Sequence, residues 1–77
     1  MNEILPDEIH YLKCHDQMRA FLEAHFDMSD KHMETLIGFL RQGNGTLSKR
    51  AREREFQALT DEEATQLEDR YNEIFMA

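Results

Sequence analysis

The sequence predicts an all-α protein, a small orthogonal bundle of about four helices whose middle pair is helix-turn-helix-like. The chain has no valine, and no stretch alternates apolar and polar residues cleanly, so the signature of a β-strand is missing. Apolar residues recur instead at the spacing of one face of a helix. Residues that favour a helix start stand in front of these stretches.

At 77 residues the chain has room for one domain, so we expect a single helical domain over residues 1–77. One cysteine, Cys14, cannot form an internal disulfide, and no set of Cys and His residues has zinc spacing. The N-terminal residues lack the basic start and long apolar run of a secretory signal. These features predict a cytoplasmic protein without membrane contact, metal or cofactor.

The first helix is predicted to open at Pro6, because proline is tolerated in a first helical turn. Asp7 and Glu8 follow and suit the positive end of the helix dipole. His15 and Asp16 interrupt the apolar density and allow a bend there. One stripe at helical spacing consists of Tyr11, Cys14, Met18, Phe21, Leu22 and His25.

Ser29 can cap the second helix, with Met28 and Met33 at the two positions of a hydrophobic staple. Gly43 and Gly45 are expected to end it, since glycine accepts the left-handed backbone of a helix C-terminus. The face predicted to be buried is Met33, Leu36, Ile37 and Leu40.

Ser48 can cap a short third helix that runs from Lys49 to about Ala58. Its apolar residues are few, so its order should depend on its neighbours. The last helix has a capping box in Thr60-Asp61-Glu62-Glu63, and its predicted buried stripe is Ala64, Leu67, Tyr71, Ile74 and Phe75.

The four histidines raise a metal-binding hypothesis, because imidazole is a common metal ligand. Their spacing does not support it, since His10 and His15 lie on different faces of a helix. A second hypothesis makes Cys14 a nucleophile with His10, one turn earlier, as its base. The position of Cys14 on an apolar stripe favours a packed thiol instead. All four histidines are expected to be solvated or partly packed.

The charge pattern is the most distinctive feature. The chain carries a net charge of −7, yet the segment 41–54 holds five basic residues against Glu53 and carries +4, which leaves −11 for the rest. We predict that this cluster is the interaction surface, with Arg50 and Arg54 projecting together one turn apart. Its basic members are Arg41, Lys49, Arg50, Arg52 and Arg54.

Two interpretations of this cluster remain open. A turn followed by a short helix is the arrangement with which a helix-turn-helix presents its second helix to DNA. Alternatively, the cluster neutralises the acidic last helix or contacts another protein. The net negative charge favours the second interpretation, because it opposes binding of a polyanion. Few residues of the third helix could contact base edges, with Gln57 alone at its end.

Much of the chain is similar to the extreme C-terminal helical segment of some bacterial Fic (filamentation induced by cAMP) proteins. The similar stretches are Leu36 to Glu53, Glu55-Phe56, residues 58–63 and residues 71–75. Residues 5–9 and Tyr11-Leu12 also fit that segment. The most specific part is Leu47-Ser48-Lys49-Arg50-Ala51-Arg52-Glu53.

Fic proteins transfer a nucleotide monophosphate, usually AMP from ATP, to a hydroxyl on a target protein. Their motif begins with a catalytic His and runs through Gly-Asn-Gly to an Arg. Aligned on Gly43-Asn44-Gly45, this chain departs from the motif at every chemically necessary position. The His, Phe, metal-binding acid and phosphate-binding Arg positions hold Gly38, Leu40, Gln42 and Thr46.

The resemblance therefore implies a non-catalytic accessory or protein-interaction domain, needing no cofactor or metal. It would be either a piece of a longer Fic protein or a free-standing relative. Its partner would be a Fic catalytic domain in cis or another protein. The alternative function is a small helix-turn-helix DNA-binding module that uses the same basic residues.

Overall fold

The helices of the structure correspond to the segments predicted from helix-start residues and apolar stripes. The structure is a computed structural model that describes residues 6–76. The helices are α1 (Pro6–His25), α2 (Asp30–Gln42), α3 (Lys49–Glu55) and α4 (Asp61–Phe75). No strand occurs within residues 6–76, and the predicted all-α fold of four helices is confirmed.

Helix α1 is continuous through residues 14–16, without a break at the predicted bend. Cys14, Met18 and Leu22 of its stripe are buried, and Tyr11 and Phe21 are half-buried. His25, at the end of the stripe, is exposed, as expected of a solvated histidine, and its ring lies 4.7 Å from the ring of Phe21 on the preceding turn.

Helix α2 begins as predicted, with the hydroxyl of Ser29 accepting a hydrogen bond from the His32 N–H. It ends at the predicted position, before Gly43, but the left-handed residues of the turn are not the ones predicted. Gly43 has a φ of −90°, whereas Asn44 has a φ of 54° and Gly45 one of 93°. The Gly45 N–H donates to the Leu40 carbonyl at 2.7 Å, as in a Schellman motif with Asn44 in the left-handed position.

Gly43 is required because a side chain at this position would not fit, and not because its backbone is left-handed. A Cβ atom at this position would lie 2.0 Å from the carbonyl oxygen of Thr46, which folds back over it. Both glycines therefore serve the turn, but the left-handed conformation belongs to Asn44 and Gly45.

Helix α3 starts where Ser48 accepts a hydrogen bond from the Ala51 N–H at 3.1 Å. It ends at Glu55 and not near Ala58, because Phe56 leaves the helix and its side chain, 2% exposed, enters the core. Helix α4 has the predicted capping box, in which Thr60 and Glu63 each bond the other's backbone N–H.

The core lies between α1, α2 and α4, with α1 packed against both of the others. Residues from the α2–α3 connection and from the end of α3 complete it. Its buried members are Met18, Leu22, Met33, Leu36, Ile37, Leu40, Leu47, Phe56, Leu67 and Tyr71.

An ionic cluster joins α1 to α2 on the surface. Arg19 of α1 donates hydrogen bonds to Asp30, at 2.9 Å, and to Glu34, both in α2. His15 Nε2 lies 2.7 Å from Glu34 Oε1. Burial raises the pKa of Glu34, but the hydrogen bonds with Arg19 and His15 outweigh it and leave the pKa below its ordinary value.

Candidate interaction surface

The turn in front of α3 is fixed by α4. The Leu47 N–H donates a 2.7 Å hydrogen bond to Glu68 Oε2, and Asn72 Nδ2 donates to the Gly45 carbonyl at 3.1 Å. Gly45 lies so close to Asn72 that a Cβ atom would come within 2.6 Å of its side-chain oxygen. The start of α3 is therefore positioned by two side chains of α4, Glu68 and Asn72, that no sequence pattern singles out.

The far end of α3 is fixed by α2. Phe56 packs against the ring of His32, at 5.0 Å and nearly parallel, and against Phe39, at 5.8 Å and nearly perpendicular. His32 Nε2 also donates a 3.0 Å hydrogen bond to the Glu55 carbonyl. Because α3 is held at both ends, its outward side chains have a defined direction although the helix has only seven residues.

Arg52 is engaged inside the molecule. Its guanidinium donates to Asp61 Oδ1 at 2.8 Å and to the Leu59 carbonyl at 3.0 Å. Leu59 lies in the segment between α3 and α4, and Asp61 is the first residue of α4. At this residue the geometry corresponds to the interpretation in which the basic cluster neutralises the last helix.

Arg41 lies apart from α3, at the end of α2. Its guanidinium carbon is 4.4 Å from the ring centroid of Tyr11, the arrangement of a cation–π contact. The side chain is exposed, and its charge also lies near the negative end of the α2 dipole.

Lys49, Arg50 and Arg54 form what we call the α3 cationic face. All three are exposed, and no ion pair of theirs occurs in the part of the chain that the structure describes. Ala51, which is 4% exposed, turns the opposite side of α3 towards the core. The five predicted surface residues therefore separate into Arg41, Arg52 and the α3 cationic face.

Cys14 has the environment of a packed thiol. It is 3% exposed, and its Sγ donates to the Ile74 carbonyl at 3.3 Å. The His10 ring lies 3.6 Å from the sulfur, but a nucleophile must be reached by its substrate, and this thiol is covered.

The histidines are distributed over separate contacts. His15 belongs to the α1–α2 ionic cluster, His32 stacks on Phe56, and His25 lies against Phe21. Across residues 6–76 no three His, Cys, Asp or Glu side chains come together as a metal-binding group. None of the helices described is long and apolar enough to cross a membrane.

No protein-family model, no curated protein and no solved structure matches the chain.

Proposed function

We propose that this chain is a non-catalytic accessory domain of a Fic-type protein adenylyltransferase, and that it contacts its partner through the α3 cationic face. The observation that carries the proposal is the exposure of Lys49, Arg50 and Arg54 on a helix fixed at both ends. Exposed cations without internal ion pairs gain most from an external acidic partner. The partner would be a Fic catalytic domain in the same polypeptide or another cytoplasmic protein.

The absence of a catalytic role is part of the proposal. The Gly43-Asn44-Gly45 run, which is shared with the Fic motif, is accounted for here by helix termination. The covered thiol of Cys14 supports the same view.

The first experiment is to read the coding sequence upstream for a His-Pro-Phe and Gly-Asn-Gly-Arg motif in the same frame. The catalytic segment found there is then produced separately, and its affinity for this chain is measured by calorimetry. Arg50→Glu should weaken binding about tenfold, because it reverses a charge at the contact. Lys13→Glu makes the same change in net charge on an exposed site of α1 and should alter binding less than about twofold.

If no catalytic motif lies upstream and none of the chain's protein partners responds to Arg50→Glu, the proposal is wrong. Equal weakening by Arg50→Glu and Lys13→Glu would contradict the proposed contact surface, since only the net charge of the molecule would then matter.

A DNA-binding module is the second candidate, and the same exposed cations favour it. Two features argue against DNA binding: the net charge of −7, which repels a polyanion, and the short length of α3, which has seven residues. A gel shift with duplex DNA at increasing salt separates the two. Binding that falls steeply with salt and is lost on replacing Arg50 and Arg54 by Glu would establish the DNA-binding function.

A further inference from the structure

A cleft of about 650 Å³ opens beside α3. Leu47 and Phe56 are buried at its base, whereas Lys49 and Gln57 are exposed at its edge, so an apolar floor has a polar rim. The cleft is open to solvent, and its volume lies within the range of small-molecule sites in proteins. The lining residues are Leu47, Lys49, Arg52, Glu53, Phe56 and Gln57.

The walls of this cleft are preformed. The backbone of Leu47 is bonded to Glu68, Phe56 is packed between His32 and Phe39, and Arg52 is bonded to Asp61. A cleft with walls already in place loses little conformational freedom when it is filled, which favours binding.

The charges around the cleft select the chemistry of the occupant. Lys49 stands on the rim, and Arg50 and Arg54 lie one turn apart on the outer face of the same helix. Glu53 is the acidic residue of the lining. An apolar floor next to several exposed cations is complementary to carboxylates that flank one large apolar side chain.

Building on the proposed function, we infer that this cleft binds an acidic segment of the partner protein. One large apolar side chain of the segment is inserted over Leu47 and Phe56, and carboxylates on either side pair with Lys49, Arg50 and Arg54. Duplex DNA has no side chain to fill an apolar cleft. A second copy of this chain is disfavoured because each copy carries a charge of −7.

The test uses the isotope-labelled chain and a blocked synthetic peptide in which glutamates flank one phenylalanine. Titration is followed by the backbone amide signals and by fluorescence anisotropy of a labelled peptide. We expect saturable shifts at residues 47–57. Replacing the phenylalanine of the peptide by alanine should weaken binding about tenfold, because the buried apolar contact is lost. Replacing its glutamates by lysines should abolish binding.

Matched variants of the chain test the role of charge. Arg50→Glu and Arg54→Glu should each weaken peptide binding about fivefold to tenfold, and Lys13→Glu by less than about twofold. Amide spectra of the free variants show directly whether each one is folded.

Three results would overturn the inference. The first is no binding of the phenylalanine peptide at about 1 mM. The second is tighter binding of duplex DNA at residues 47–57. The third is concentration-dependent association of the free chain with signal broadening at the cleft. If the peptide fails while the catalytic segment still binds with sensitivity to Arg50→Glu, this inference is wrong and the proposed function stands.

Discussion

At the scale of single residues, five basic side chains that are close in sequence occupy three different environments. Arg41 lies over Tyr11, Arg52 bonds Asp61, and the α3 cationic face points into solvent. Sequence spacing predicted correctly that Arg50 and Arg54 are both exposed. It could not single out Arg52, because the acceptors at Leu59 and Asp61 come into range only when the chain turns after Phe56.

Two glycines offer a matched test of backbone conformation. Gly45 has a φ of 93° and lies against the Asn72 side chain, so Gly45→Ala should lower the free energy of unfolding by about 1–3 kcal/mol. Gly38 lies in α2 with open space around it, so Gly38→Ala should raise the same quantity by about 0.5–1 kcal/mol. Urea denaturation followed by circular dichroism measures both. Equal effects of the same sign would contradict this assignment.

At the scale of helices, the capped starts and the end of α2 were predictable, whereas the end of α3 was not. Ser29, Ser48 and Thr60 cap helices through bonds that span three residues, so local sequence determines them. The end of α3 depends on Phe56 entering a core built by other helices. Glu68 and Asn72, which position the turn before α3, looked like ordinary polar residues of an amphipathic helix.

The attachment of α3 can be tested with two neighbouring arginines. Arg52→Ala removes hydrogen bonds to Asp61 and to the Leu59 carbonyl and should lower the free energy of unfolding by about 1 kcal/mol. Arg50→Ala should change it by less than about 0.5 kcal/mol, because this side chain has no described ion pair. The free energy of unfolding of each variant is measured by thermal and by urea denaturation. A larger loss in Arg50→Ala would mean that the α3 cationic face supports the fold.

The contact between α1 and α2 predicts a dependence on pH. The pKa of Glu34 is lowered from its ordinary value of 4.5, so its ion pairs stabilise the fold above that value. This contribution is lost as the pH falls through the lowered pKa. Glu34→Gln should therefore be less stable than the parent at neutral pH, with the difference disappearing in strong acid.

Urea midpoints measured across the acid range check this expectation. Asp69→Asn, which removes an exposed carboxylate without a described ion pair, is the matched control and should not reproduce the effect. A Glu34→Gln difference that persists unchanged into strong acid would show that the side chain acts by packing rather than by charge.

At the scale of the whole molecule, one aromatic residue links elements that are distant in sequence. Phe56 contacts His32 and Phe39 of α2 and belongs to the same core as Leu67 and Tyr71 of α4. In the sequence, Phe56 is one of few apolar residues in the range predicted for the third helix. Its real environment depends on contacts across the molecule, which no local pattern reveals.

Phe56→Ala should cost about 3–5 kcal/mol, a large part of the stability of a domain of this size. We expect all four helices to melt together at a lower temperature, while Phe56→Leu should cost much less. Circular dichroism and amide spectra follow the transition. Selective loss of α3, with the other helices intact, would show that the molecule is not one cooperative unit.

The two hydrogen bonds from α4 to the turn at residues 45–47 have a consequence for engineering. The position of the first turn of α3 depends on Glu68 and Asn72, which stand 21 and 27 positions after the residues they bond. If the loop and α3 alone were grafted onto another protein, the arginines would be present but the contacts that orient the helix would be missing. A graft that preserves their geometry must include both α4 and the part of α2 that contacts Phe56.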